Sequence, residues 1–193
     1  MIKSLIVCLF LFCALPCRTT AAPVPAETLF VRSVEAYRAG QFQKARAGFR
    51  EILDRYGKSP AASASALMFS KTLYKLQEYD QVIHAATDMK QRFPTTRYLP
   101  DVDYLIGNCY YRMGRLLDAA FQYMHVLSVH GGDLRLRRRV LELVGGMSLK
   151  VLSKHDLDLL KRRFEDDRTT EAVTLGQAFY LLQGGDTTEG MRR

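Results

Sequence analysis

A chain of 193 residues that is 48% hydrophobic and 25% charged carries enough apolar material for one packed domain, which excludes a disordered segment. Its formal charge of +8 falls to +6 once Lys3 and Arg18 leave with an N-terminal leader, because 26 bases then face 20 acids. A diffuse excess of that size suits anionic peptides, peptidoglycan or membrane surfaces and gives no argument for nucleic acid.

The leader comes first in the chain. Lys3 supplies a charged start, Leu5 to Leu15 is an unbroken apolar run, and small residues follow, which is the pattern of a secretory signal peptide over residues 1–26. The run is too short to span a membrane. Small residues two positions apart allow cleavage after Ala21 or after Ala26, and the cut after Ala26 is favoured. Lipid anchoring needs a small residue just before a cysteine, and Pro16 before Cys17 and Phe12 before Cys13 both match poorly. With Cys8, Cys13 and Cys17 in the leader, the mature chain keeps only Cys109, so no internal disulfide forms and this thiol reads as a buried filler.

From Glu27 to about Phe164 the apolar residues recur at helical spacing, with breaks at Gly40, Gly57 to Pro60, Gln77, Pro94, Gly114 and Gly131-Gly132. Three segments superimpose at a constant offset of 37: YRAGQFQKARAGF from Tyr37, YKLQEYDQVIHAA from Tyr74 and YRMGRLLDAAFQY from Tyr111. In each, the tyrosine is followed by a base (Arg38, Lys75, Arg112) and then by a turn residue (Gly40, Gln77, Gly114). An amphipathic helix follows, with its stripe at Ala45, Val82 and Ala119, then Phe49, Ala86 and Tyr123, then Ile52, Met89 and Val126. Upstream, Ser33, Ser70 and Gly107 share one small position where the two helices of a hairpin can approach closely. A helix-turn-helix unit cannot bury its stripe alone, so three such repeats over residues 27–132 must stack on one another.

Beyond them, helices are expected from Leu134 to Leu152, Asp156 to Phe164 and Thr169 to Gln183, as degenerate repeats over residues 133–193. Gly185 lies 71 residues after Gly114, close to two repeat lengths, so a degenerate copy is expected between them. The chain then stops as a further helix begins, which reads as the N-terminal piece of a longer protein.

The third copy, IGNCYYRMGRLLDAAFQYMHVL, carries a resemblance to the tetratricopeptide repeat (TPR) family. Its Ile106, Gly107, Tyr110, Gly114, Ala119 and Tyr123 fall where that family has Leu, Gly, Tyr, Gly, Ala and Phe. The period of 37 is longer than the family's, and the added residues lie in the connections KSPAAS and PTTRYLPD. Such connections look like those of Gram-negative envelope TPR proteins, of the outer-membrane assembly lipoprotein or cell-division coordinator type. The resemblance implies an all-α, right-handed solenoid of stacked antiparallel helix pairs, whose first helices line a concave groove. Carried over by position, the groove presents Tyr37, Tyr74 and Tyr111, with Arg38, Lys75 and Arg112 beside them and Phe30, Leu67, Tyr104 and Asn108 nearby. Tyrosines beside bases make an adhesive strip of the composition found at binding hot spots. The plainer alternative packs the tyrosines between repeats and leaves the bases in water. Of the family's carboxylate clamp only Asn108 is in place.

Other polar clusters point to little chemistry. Arg135, Arg137, Arg138 and Arg139, and then Lys161, Arg162 and Arg163, suit anionic lipid or glycan, yet the stripe of Leu134, Val140, Leu141 and Val144 assigns the first run to a solvated face. His84, His125, His130 and His155 lack metal-pair spacing, and Asp101 and Asp103 read as helix-end or solvated acids. The glycine pairs at 131, 145 and 184 precede no phosphate loop. No catalytic centre, metal or cofactor is therefore expected. The expected function is an exported, non-enzymatic adaptor, in the periplasm or at the outer membrane, that holds an envelope protein or peptide in its groove. Peripheral contact with membrane or peptidoglycan fits the charge, and nucleic acid does not. The alternative is the helical arm of a larger periplasmic protein with a ligand-binding or enzymatic domain downstream, like the activators of penicillin-binding proteins.

Overall fold

The computed structural model describes residues 25–130, 133–164 and 166–182. The expected signal peptide, up to residue 24, and the glycine pairs at 131 and 184 lie outside the described residues. Every regular element among those described is a helix: α1 (Ala26–Arg38), α2 (Phe42–Arg55), α3 (Ala62–Lys75), α4 (Tyr79–Arg92), α5 (Leu99–Arg112), α6 (Leu116–His130), α7 (Leu134–Lys150), α8 (Lys154–Arg163) and α9 (Asp166–Leu182). From α1 to α7 each helix packs on the next in chain order, so the three repeats appear as the hairpins α1–α2, α3–α4 and α5–α6.

One backbone device ends the first helix of every hairpin. Gly40, Gln77 and Gly114 adopt φ of 73°, 63° and 75°, the left-handed conformation that closes a helix. The amide after each of them then reaches back five residues, from Gln41 to Ala36 at 2.9 Å, from Glu78 to Leu73 at 3.1 Å and from Arg115 to Tyr110 at 2.9 Å. These bonds satisfy carbonyls that a helix end leaves open, and they turn the chain at once into the second helix. A ring contact braces the first two turns, Tyr37 on Phe42 and Tyr74 on Tyr79, both with centroids 5.5 Å apart.

The stripe of the second helices forms the core. Ala45, Phe49 and Ile52, then Val82, Ala86 and Met89, then Ala119, Tyr123 and Val126 are all buried. The shared small position is where hairpins close: a Cβ on Gly107 would sit 2.5 Å from the Tyr123 ring, and one on Gly48 would strike the Ser33 side chain. Ser33 and Ser70 are buried without penalty, because their hydroxyls donate to the carbonyls of Leu29 and Ala66 within their own helices.

The alternation changes at α7. Asp133 caps that helix by accepting from the amides of Arg135 and Leu136, and Ser153 with Asp156 forms a capping box at the start of α8. A fourth hairpin of the same kind would pair α7 with α8, but α7 packs chiefly along α9 instead. Gly145 and Gly176 make this possible, since a Cβ on Gly145 would collide with the backbone of Gly176 and Gln177. Two helix backbones meet there with no side chain between them. Leu134, read in the sequence as part of the buried stripe of α7, is instead 75% exposed beside the Asp133 cap, whereas Val140, Leu141 and Val144 are buried as expected.

Candidate functional site

The ends of the first helices bring tyrosines and bases together. A cleft of about 560 Å³ runs across α1, α3, α5 and α7, and Tyr37, Tyr74, Lys75, Tyr104, Asn108 and Arg112 line it. The other lining side chains include Met68 and Lys71 from α3, Asp101 from α5, and Leu136 and Arg139 from α7. Four bases thus face one acid. That acid, Asp101, is held by Lys71 at 3.6 Å.

Two contacts organise the cleft: an arginine of α5 reaches a tyrosine of α3, and an arginine of α7 reaches a tyrosine of α5. Arg112 on α5 donates through Nε to the Tyr74 hydroxyl at 3.3 Å, and the Arg139 guanidinium on α7 lies 5.9 Å from the centre of the Tyr104 ring. Both arginines stay exposed, and a guanidinium oriented by a tyrosine can still offer its remaining N–H groups to carboxylate or phosphate. Burial raises the phenol pKa values of Tyr37, Tyr74 and Tyr104, although Arg112 and Arg139 oppose this at the latter two. At neutral pH all three are uncharged hydroxyls able to donate or accept.

Six of the eight residues expected in the groove line this cleft, and two do not. Arg38 is exposed outside it, and the physical reason is its place in the array. Arg112 faces the groove by reaching back to a preceding first helix, and no described helix precedes α1. Tyr111 is half-buried against the apolar cluster of α6 and α7 and does not reach the cleft, whereas Tyr104, which packs on the same cluster, does line it. Phe30 and Leu67 lie away from the cleft, Phe30 half-buried against Phe49 with centroids 5.9 Å apart and Leu67 buried. Lys71 and Arg139 are the site residues that sequence reasoning missed. Lys71 had a usable signal, since it stands one helical turn before Lys75 and shares its face. Arg139 had none, because its run of arginines reads as a solvated face until α7 is placed against α5.

Asp103 also departs from expectation. It is 2% exposed, not solvated, and its carboxylate joins three helices. Oδ1 accepts from Lys90 of α4 at 2.6 Å, and Oδ2 lies 2.9 Å from His130 Nε2 of α6. His125 stands farther off, at 3.9 Å, and burial lowers its pKa despite the carboxylate. Among the described residues no group of three or more His, Cys, Asp or Glu side chains is arranged to hold a metal ion. Cys109 is buried and its thiol is pushed up to about 12 by burial, as a packing residue should be.

Paired helices closed by left-handed turn residues, with a groove along the first helices, define a TPR-like repeat protein. Residues 23–122 match the YfiO family of outer membrane lipoproteins, over more than half of the chain, and the protein belongs to that family. It is thus a TPR-like protein of the cell envelope. A search of curated proteins found no match. No helix among the described residues is long and apolar enough to cross a membrane.

Proposed function

We propose that this protein is an exported adaptor of the bacterial envelope, at the periplasmic face of the outer membrane, and that the α1–α3–α5–α7 cleft holds a segment of a partner protein. The observation that carries the reading is the convergence of Tyr37, Tyr74 and Tyr104 with Lys75, Arg112 and Arg139 on one cleft from four separate helices. Neutral tyrosines offer rigid amphipathic area at low entropic cost, and the bases add charge where a partner would be partly desolvated. Membership of an outer membrane lipoprotein family supports the compartment, and an adaptor role needs no catalytic group.

A plugged groove tests this reading. Met68 lines the cleft, so a Met68→Cys variant carrying a bulky maleimide fills it, while buried Cys109 with its raised pKa escapes the reagent. The same label on Lys44→Cys, exposed on α2, serves as control. An envelope partner captured by the Lys44-labelled protein and lost on plugging Met68 is the expected result. Equal capture by both would overturn the groove and move the weight to a domain downstream.

A further inference from the structure

We propose that the cavity where α6, α7, α8 and α9 meet is a second binding site, and that it takes a single aliphatic chain carrying an anionic head group. The site is separate from the groove, since α7 gives Leu136 and Arg139 to the groove but Arg137 and Leu141 to the cavity. All of its lining residues lie beyond residue 122, where the family match ends.

The break in the repeat creates this space. Because α7 packs along α9 and not on α8, a cavity of about 380 Å³ is left among these helices and α6. Its interior is apolar: Met124 and Leu127 of α6, Leu141 of α7, Phe164, and Ala172 of α9 are buried or half-buried, and Leu175 lines it at 37% exposure. Its mouth is polar, since Ser128, Arg137, Arg163 and Glu171 are all exposed. An apolar interior under a charged mouth is complementary to an amphiphile. A sugar would set its hydroxyls against the apolar wall without partners.

Charge selects the head. Two bases share the mouth with one acid, and Arg137 Nη2 lies 3.6 Å from Glu171 Oε1 in a pair that links α7 to α9. Arg163 therefore brings a charge that this pair does not balance. A carboxylate or phosphate head is the complementary group, because a guanidinium offers parallel N–H donors to its oxygens.

Size selects the tail. At about 30 Å³ per heavy atom, the share that a water molecule takes in the liquid, the cavity has room for about a dozen heavy atoms. Decanoate matches that size, and a two-chain lipid exceeds it.

The test is isothermal titration of the full mature protein with octanoate, decanoate, dodecanoate and tetradecanoate, each below its micelle concentration, and with butyrate and decyltrimethylammonium. Affinity is expected to rise by about fourfold per added methylene up to decanoate and to level off beyond it, once the cavity is full. Butyrate should show no saturable binding, which separates this site from one for small free anions. Decyltrimethylammonium should bind about tenfold more weakly than decanoate. Arg163→Gln should weaken decanoate by about threefold. Leu175→Asp, which sets an acid beside the chain, should weaken it by about tenfold, with melting curves confirming that both variants fold.

A gain per methylene that continues unbroken to tetradecanoate means adsorption on an open surface and overturns the proposal. Equal binding of decanoate and decyltrimethylammonium overturns the anionic head. Undiminished binding by the folded Arg163→Gln and Leu175→Asp variants removes the cavity as the seat. Binding that is lost on plugging Met68 would place the chain in the groove instead. If decanoate does not bind at all, the proposal falls, and the partner-capture experiment judges the groove separately.

Discussion

Gln77 occupies the turn position that glycine holds in the other two hairpins, and it pays a conformational cost that Gly40 and Gly114 do not. A side chain at φ of 63° crowds its own backbone, at about 1 kcal/mol, and the turn hydrogen bonds around Gln77 match those of its two equivalents. Gln77→Gly is therefore expected to stabilise the protein by about 0.5–1 kcal/mol, read as a higher urea midpoint at unchanged slope. Gln77 also lines the cleft, so the same variant shows whether its amide matters to the occupant. An unchanged midpoint would mean that Gln77 relieves its strain through contacts of its own. The tyrosines show a second lesson at this scale. Tyr37 and Tyr74 each brace the turn of their own hairpin through a ring contact and also border the groove.

Among the elements, the decisive contact is the crossing of α7 with α9. It depends on two glycines in close register, so its stability comes from backbone proximity and from the apolar cluster around Leu141, Val144 and Ala172. Gly145→Val would force the helices apart, with an expected loss of about 1–3 kcal/mol. The loss should be local. Limited proteolysis is expected to cut at α9 first, while the groove-facing ends of α3 and α5 keep their binding. If the variant melts cooperatively at the parent temperature, with α9 still protected, the crossing is not needed to hold that helix. The Asp103 clasp is a different kind of joint, because it ties α4, α5 and α6 by charge and hydrogen bonds behind the groove.

For the molecule as a whole, the start of α1 bears on where the expected leader would be cut. Ala26 is buried at 5% exposure, and the Pro25 carbonyl accepts the first helical hydrogen bond, from Leu29 at 3.0 Å. Cleavage after Ala26 would remove both, whereas cleavage after Ala21 keeps them. This argues against the cut after Ala26 that the sequence favoured, and if the leader is removed, N-terminal sequencing is expected to begin at Ala22. Processing at an acylated Cys17 would also keep the helix whole and would add the lipid that the family description names. A mature chain that begins at Glu27 and melts normally would show that the first turn is dispensable.

What the sequence determined by itself was everything set by local periodicity. The offset of 37, the turn residues, the small position at Ser33 and Gly107 and the buried stripes are all properties of one hairpin, repeated, so they can be read one hairpin at a time. Helical spacing also located α7, α8 and α9 to within a few residues. Tertiary structure alone decided which helix α7 would take as its partner. A stripe shows that a face is buried but not against what, and the pairing with α9 required Gly176 opposite Gly145 across some thirty residues of chain. The same reason governs the site. Lys75 and Arg112 follow from the repeat, whereas Arg139 enters the groove, Tyr111 leaves it and Asp103 becomes buried only because of how separate helices meet in space.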